Sequence, residues 1–178
     1  GAIAGVLARG GASIQHIVSG DTDATIEGDL VVLAVPYGAL ETIAATYGEQ
    51  LTGKTVVDIT NPLNFETFDS LVVPVGSSAA AELQKALPGA RVLKAFNTNF
   101  AATLAAGTVG TEKTTVLVAG DDADAKAALI NAVTAGGLAA LDAGALARAH
   151  ELEAIGFLQL TLAASEKISW TAGFAVVR

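Results

Sequence analysis

The chain has 178 residues, 52% of them hydrophobic, enough for one ordinary core, and no apolar run reaches the roughly 18 residues of a membrane span. It has no Cys and two His, which excludes disulfides and thiolate chemistry and argues against a transition-metal site. Its formal net charge of -8 argues against a general nucleic-acid partner, since no basic stripe is there to neutralise phosphates. A small anionic ligand needs only local donors and stays open.

Gly1 to Arg9 is predicted helical, with Ile3, Val6 and Leu7 on one face and Gly10-Gly11 as the stop. Ala12 to Val18 is predicted to be a strand, followed by the turn Ser19-Gly20-Asp21-Thr22-Asp23. Asp29 to Val35 is a continuous apolar strand of the kind buried on both faces. Pro36 ends it, and Gly38 to Tyr47 is a helix with Leu40 and Ile43 inward. Thr55 to Ile59 is the next buried strand, and Asn61 to Gly76 is a loop long enough to suggest function. Ser77-Ser78 caps a helix that Pro88-Gly89 stops after Leu87. Arg91 to Ala95 is a strand, with a short helix around Phe100 to Ala106. Thr114 to Ala119 is a strand, Asp121-Asp122 caps a helix to about Ala135, and Leu138 to Leu141 is the last strand. A long helix from Ala145 to about Ile168 closes the chain, and Trp170 and Phe174 in the tail are read as packing residues.

Strands alternating with helices predict an α/β fold with a doubly wound, mostly parallel sheet. The expected organisation is one domain, with a core over residues 1–141 and a C-terminal helix and tail over 142–178 packed on it. Such a sheet opens on a strand and a Gly-rich turn, whereas this chain opens on a helix. Together with the absence of Met, this leads to the expectation that the first strand and the start of the Gly-rich loop lie upstream, with Gly1 as the last glycine of G-x-G-x-x-G. The opening residues lack the order of a signal peptide, so a cytoplasmic protein is expected.

Three strands end alike. Ala34-Val35-Pro36-Tyr37, Asp58-Ile59-Thr60-Asn61-Pro62-Leu63 and Lys94-Ala95-Phe96-Asn97-Thr98 each break from an apolar run into small, polar or Pro residues. In an open parallel sheet those ends share one rim, where ligands bind. Ser19 and the Gly20 amide could hold a phosphate, with Asp21 opposing it unless it points away. Val35, Pro36 and Tyr37 form a flat turn suited to a nucleotide; Asn61 offers donor and acceptor, and Pro62 keeps it extended. Ala95 permits close approach, Phe96 could wall a ring site, and Asn97 and Thr98 could orient a second flat ligand. Lys94 is read as solvent-facing or paired with a carboxylate. His150, Glu151 and Glu153 are read as a polar helix face, and Ile155, Leu158, Leu162 and Ala163 as a face that could be a dimer seam. No acid–base set or P-loop is evident; a neutral rim suits hydride transfer, which needs two rings held in near contact with water excluded.

In order and spacing, Ala34-Val35-Pro36, Val57-Asp58-Ile59-Thr60-Asn61-Pro62, Val92-Leu93-Lys94-Ala95-Phe96-Asn97-Thr98 and Val116-Leu117-Val118-Ala119-Gly120-Asp121 resemble the deazaflavin-dependent NADP oxidoreductase family. They are also similar to the cytosolic domain of six-transmembrane metalloreductases. The resemblance implies a Rossmann-like dinucleotide-binding domain in which hydride passes between NADP(H) and a flavin or deazaflavin, with NAD left open. It places Gly1 in the phosphate loop, Ser19 and Gly20 at the 2′-phosphate, and Ala34, Val35, Pro36 and Tyr37 along the nucleotide. Asn61, Pro62, Phe96, Asn97 and Thr98 then lie nearer the redox centre; Ala95 is a further candidate cofactor-binding residue, and Asn97 and Thr98 are the candidate substrate-binding residues. The expected partner is a small-molecule redox acceptor, with a homodimer as the expected assembly. A nucleotide-binding sensor without catalysis is the competing reading.

Overall fold

The computed structural model describes every residue except Thr22 and Arg178, so that part of the expected turn and the last tail residue lie outside the described residues. A five-stranded sheet runs in the order β1 (Leu30–Leu33), β2 (Thr55–Asp58), β3 (Arg91–Lys94), β6 (Thr115–Gly120), β7 (Ala139–Gly144). The pairs β1–β2, β2–β3 and β6–β7 are parallel, while β3–β6 is antiparallel. The mostly parallel doubly wound sheet is therefore present, but β6 and β7 run opposite to the first three strands. A short hairpin, β4 (Thr108–Val109) with β5 (Glu112–Lys113), precedes β6 and was not expected.

Alternation along the strands explains why both faces are covered, since successive side chains point to opposite sides. Val57 and Leu93 pack with α1 (Ala2–Arg9), α4 (Ala101–Ala106) and α5 (Ala123–Ala135) through Val6, Leu7, Leu104, Leu129 and Val133. Val56 and Val92 face the other side, against Leu40 and Leu51 of α2 (Leu40–Leu51), Leu83 of α3 (Ala79–Ala86) and Ala149 of α6 (Ala149–Ala164). Two caps read from the sequence are made: Ser78 Oγ accepts from Ala81 N at 3.0 Å and Asp122 Oδ1 from Ala125 N at 2.8 Å.

Two elements differ from the reading. Ala12 to Val18 is unpaired and mostly exposed, not a strand. Its apolar residues find no ladder partner beside them, and the segment is held instead by Gln15, which bonds Thr25 O at 2.8 Å and Glu27 N at 3.0 Å. The final helix is shorter at both ends: a 3-10 turn covers Leu146–Arg148, and α6 stops at Ala164, where Ser165 Oγ folds back on Thr161 O at 2.8 Å.

Candidate functional site

The register Leu33↔Asp58↔Lys94 aligns the carboxyl ends of β1, β2 and β3. The turns after them therefore leave the sheet side by side, which brings the three expected segments to one rim. Ala34 and Pro36 are exposed, with Val35 and Tyr37 half-buried between them. Burial pushes the Tyr37 phenol up, and the carboxylates of Glu82, Glu153 and Asp58 add to this, so it is a neutral group at physiological pH. Pro62, Ala95, Phe96, Asn97 and Thr98 are buried, and Asn61 is half-buried.

Under the rim lies a charge cluster. Asp58 and Lys94 share the strand phase of Val56 and Val92, so both point toward α3 and α6. Lys94 is fully buried, and its Nζ lies 2.9 Å from Asp58 Oδ2, 2.8 Å from Glu153 Oε1 and 2.5 Å from Thr60 O. Glu153 Oε2 accepts from Ala79 N at 2.9 Å, so the α6 carboxylate also caps the start of α3. Asp58 Oδ1 accepts from Thr60 N at 2.8 Å, closing the turn that presents Asn61.

The two asparagines of the rim bind each other. Asn61 Nδ2 donates to Asn97 O and Asn97 Nδ2 to Asn61 Oδ1, both at 2.9 Å. Asn97 Nδ2 also reaches Leu152 O at 2.8 Å, and Gln159 Nε2 reaches Thr98 O at 3.2 Å. Leu152, Glu153, Gly156 and Gln159 thus form one inner face of α6 that holds both rim turns. Phe96, though not glycine, has a φ of 64° and is 2% exposed. Packing holds it in that sparsely populated conformation, as is common at binding sites.

The structure thus joins Asn61, Pro62 and the Ala95–Thr98 run, and sets Ala34–Tyr37 beside them. Gly1, at the start of α1, is exposed, as are Ser19 and Gly20 in their turn; no hydrogen bond links these three to the rim among the described residues. The exposed Asp21 carboxylate accepts from Val18 N at 3.0 Å, within that turn. Lys94 pairs with carboxylates, one of the two expected outcomes. Glu153 departs from the expected polar face: it is 1% exposed, whereas Glu151 is exposed and pairs with Arg148 at 2.8 Å. The missed signal was phase: Asp58 and Lys94 sit two residues beyond Val56 and Val92 and follow them into the interior. In the tail, Trp170 packs on Phe100 with ring centroids 5.1 Å apart, and Phe174 N donates to Gln159 Oε1 at 3.0 Å.

Burial raises the Glu153 carboxyl above its ordinary value of 4.5, while Lys94 and the Ala79 amide oppose the rise. The folded state thus binds this proton more tightly than the unfolded chain. The stability it contributes is full below the unfolded value and is lost as pH rises through the folded one. Urea unfolding of the native chain and Glu153→Gln at several pH values above 4.5 should show the native chain's relative stability falling with rising pH. A flat difference would contradict this account.

A doubly wound α/β domain with the turns after three parallel strands gathered on one rim is a Rossmann-like architecture, of the kind that binds dinucleotides at such a rim. No family model matches the chain. It is 31% identical over 154 residues to the F420-dependent NADP reductase of Methanocaldococcus jannaschii, covering 84% of this chain and 69% of that protein. A crystal structure assigned as an F420-dependent NADP reductase from Arthrobacter sp. FB24 superimposes with a TM-score of 0.78 at 26% identity, covering 88% of this chain and 72% of that one. The metalloreductase STEAP3 of Rattus norvegicus is 37% identical over 107 residues, 60% of this chain and 21% of that protein. The chain belongs to the F420-dependent NADP reductase family.

Proposed function

We propose that this protein is an NADP(H)-dependent oxidoreductase that passes hydride between nicotinamide and a deazaflavin, and that its rim is the site. The observation that carries the reading is the 31% identity across 154 residues, a span that contains most of the rim. The rim's chemistry suits it. Its exposed part is a flat turn of Ala34, Val35, Pro36 and Tyr37, and no charged side chain lies among these residues or in Asn61–Pro62 and Ala95–Thr98. Among the described residues, Thr60 Oγ1 and Asn97 Oδ1 are buried with no hydrogen-bond partner, acceptor oxygens of the kind a carboxamide or ring N–H can satisfy.

Gly1 serves the phosphate loop, Ser19 and Gly20 receive the 2′-phosphate, and Ala34, Val35, Pro36 and Tyr37 line the nucleotide. Asn61, Pro62, Ala95 and Phe96 border the nicotinamide, with Asn97 and Thr98 toward the acceptor. Bound NADPH would supply the hydride; the chain's part is to position two flat rings and exclude water between them. No group of ligands able to hold a metal exists among the described residues, and no described helix is long and apolar enough to cross a membrane. The protein is proposed to be a cytoplasmic homodimer, with the apolar outer face of α6, where Leu158 is 51% exposed, as the seam.

Calorimetry with NADPH and NADH, followed by steady-state NADPH oxidation with F420, FMN and FAD, tests the reading. Binding of NADPH with turnover on F420 is expected. Absence of binding by either nucleotide sinks it, and binding without oxidation of any acceptor points to a sensor.

A further inference from the structure

We infer that Lys94 is the positioning residue of the rim: its ammonium fixes the Thr60–Asn61 turn, and through it the Asn61–Asn97 pair, relative to α6. This rests on the rim being the redox site. The ammonium donates to Asp58 Oδ2 and to the Thr60 carbonyl and pairs with Glu153 at 2.8 Å, and each partner belongs to a different segment: Asp58 to β2, Glu153 to α6 and Thr60 to the turn. The cluster carries one cation and two carboxylates, at 0%, 0% and 1% side-chain exposure. A well-packed apolar set usually serves stability at least as well as a buried charged one, so stability alone does not account for it. Geometry does. Lys94 stands two residues before Phe96, whose left-handed backbone precedes Asn97, while its bond to the Thr60 carbonyl reaches the residue before Asn61. Lys94 touches no reacting atom and acts through the turns on either side.

The test is a neutral cluster, Asp58→Asn with Lys94→Met and Glu153→Gln in one protein, which removes the ammonium without leaving an unpaired carboxylate. The readouts are side-chain amide hydrogen exchange of Asn61 and Asn97 by NMR, and the separate kcat and KM for NADPH oxidation. A folded triple variant is expected to exchange those protons at least about tenfold faster, with kcat down about tenfold or more and KM for NADPH within about threefold. Native exchange rates in a folded triple variant overturn the inference. Should the triple variant not fold, Glu153→Gln alone decides: exchange faster by about threefold supports it, and unchanged exchange overturns it. If the native chain fails to oxidise NADPH with any of F420, FMN and FAD, the functional reading falls while the exchange data still judge the role of Lys94.

Discussion

Lys94→Met alone will lower the stability of the fold by about 3–5 kcal/mol, the usual effect of removing one partner from a buried ion pair. The loss is not that of the ammonium's hydrogen bonds alone. It arises because Asp58 and Glu153 remain buried, at 0% and 1% exposure, with no cation between them. For a chain of this size the melting temperature should fall by about 6–20 °C. The deficit should shrink as pH falls, because Glu153, already raised by burial, then takes a proton and one buried charge disappears. Thermal melts of the native chain and Lys94→Met at neutral and mildly acidic pH check both statements. A melting point within about 2 °C of native at neutral pH would show that solvent reaches the cluster, contrary to its burial.

That expectation rests on a residue whose role was only half legible. The strand Arg91–Lys94 could be placed from its apolar run, and the rim from the way three such runs end. The alternation of the run puts Lys94 on the face of Val92, but it does not display what meets the ammonium there. Lys94 borders Ala95 and Phe96, so local composition leaves solvent or a carboxylate equally open. Only the parallel register, which sets Asp58 beside Lys94, and the return of α6 with Glu153 decide it. These contacts link residues 36 and 59 positions apart, beyond the reach of any local pattern. The absent strand at Ala12–Val18 has the same origin. Its β-branched residues satisfy local propensity, but a strand exists only beside a partner, and none lies beside it among the described residues. The elements set by local chemistry, such as the helices capped by Ser78 and Asp122, lie where they were expected.

Gly156→Ala should separate the rim's geometry from the stability of the fold. Alanine is the better helix former by about 1 kcal/mol, so propensity alone favours the change. Yet a Cβ at this position would lie 2.1 Å from Asn61 Oδ1 and 2.8 Å from Asn61 Cγ, closer than real atoms approach. Something must shift, and Asn61 is the nearest group, held by two bonds to Asn97. Overpacking of this kind costs about 1–3 kcal/mol, which outweighs the propensity gain for most of that range. Stability should therefore drop by no more than about 2 kcal/mol. The displacement of Asn61 acts on the rim directly, and a misplacement near 1 Å can lower a rate by about 100-fold. NADPH oxidation should fall on that scale while the melt changes little. The sign reverses once the obstacle is gone: in an Asn61→Ala background the three atoms nearest the new methyl are removed, and Gly156→Ala should then stabilise by up to about 1 kcal/mol. Melts of the four proteins of this cycle measure the coupling. If Gly156→Ala destabilises equally with and without the Asn61 side chain, the contact between α6 and the rim is not what holds Asn61 in place.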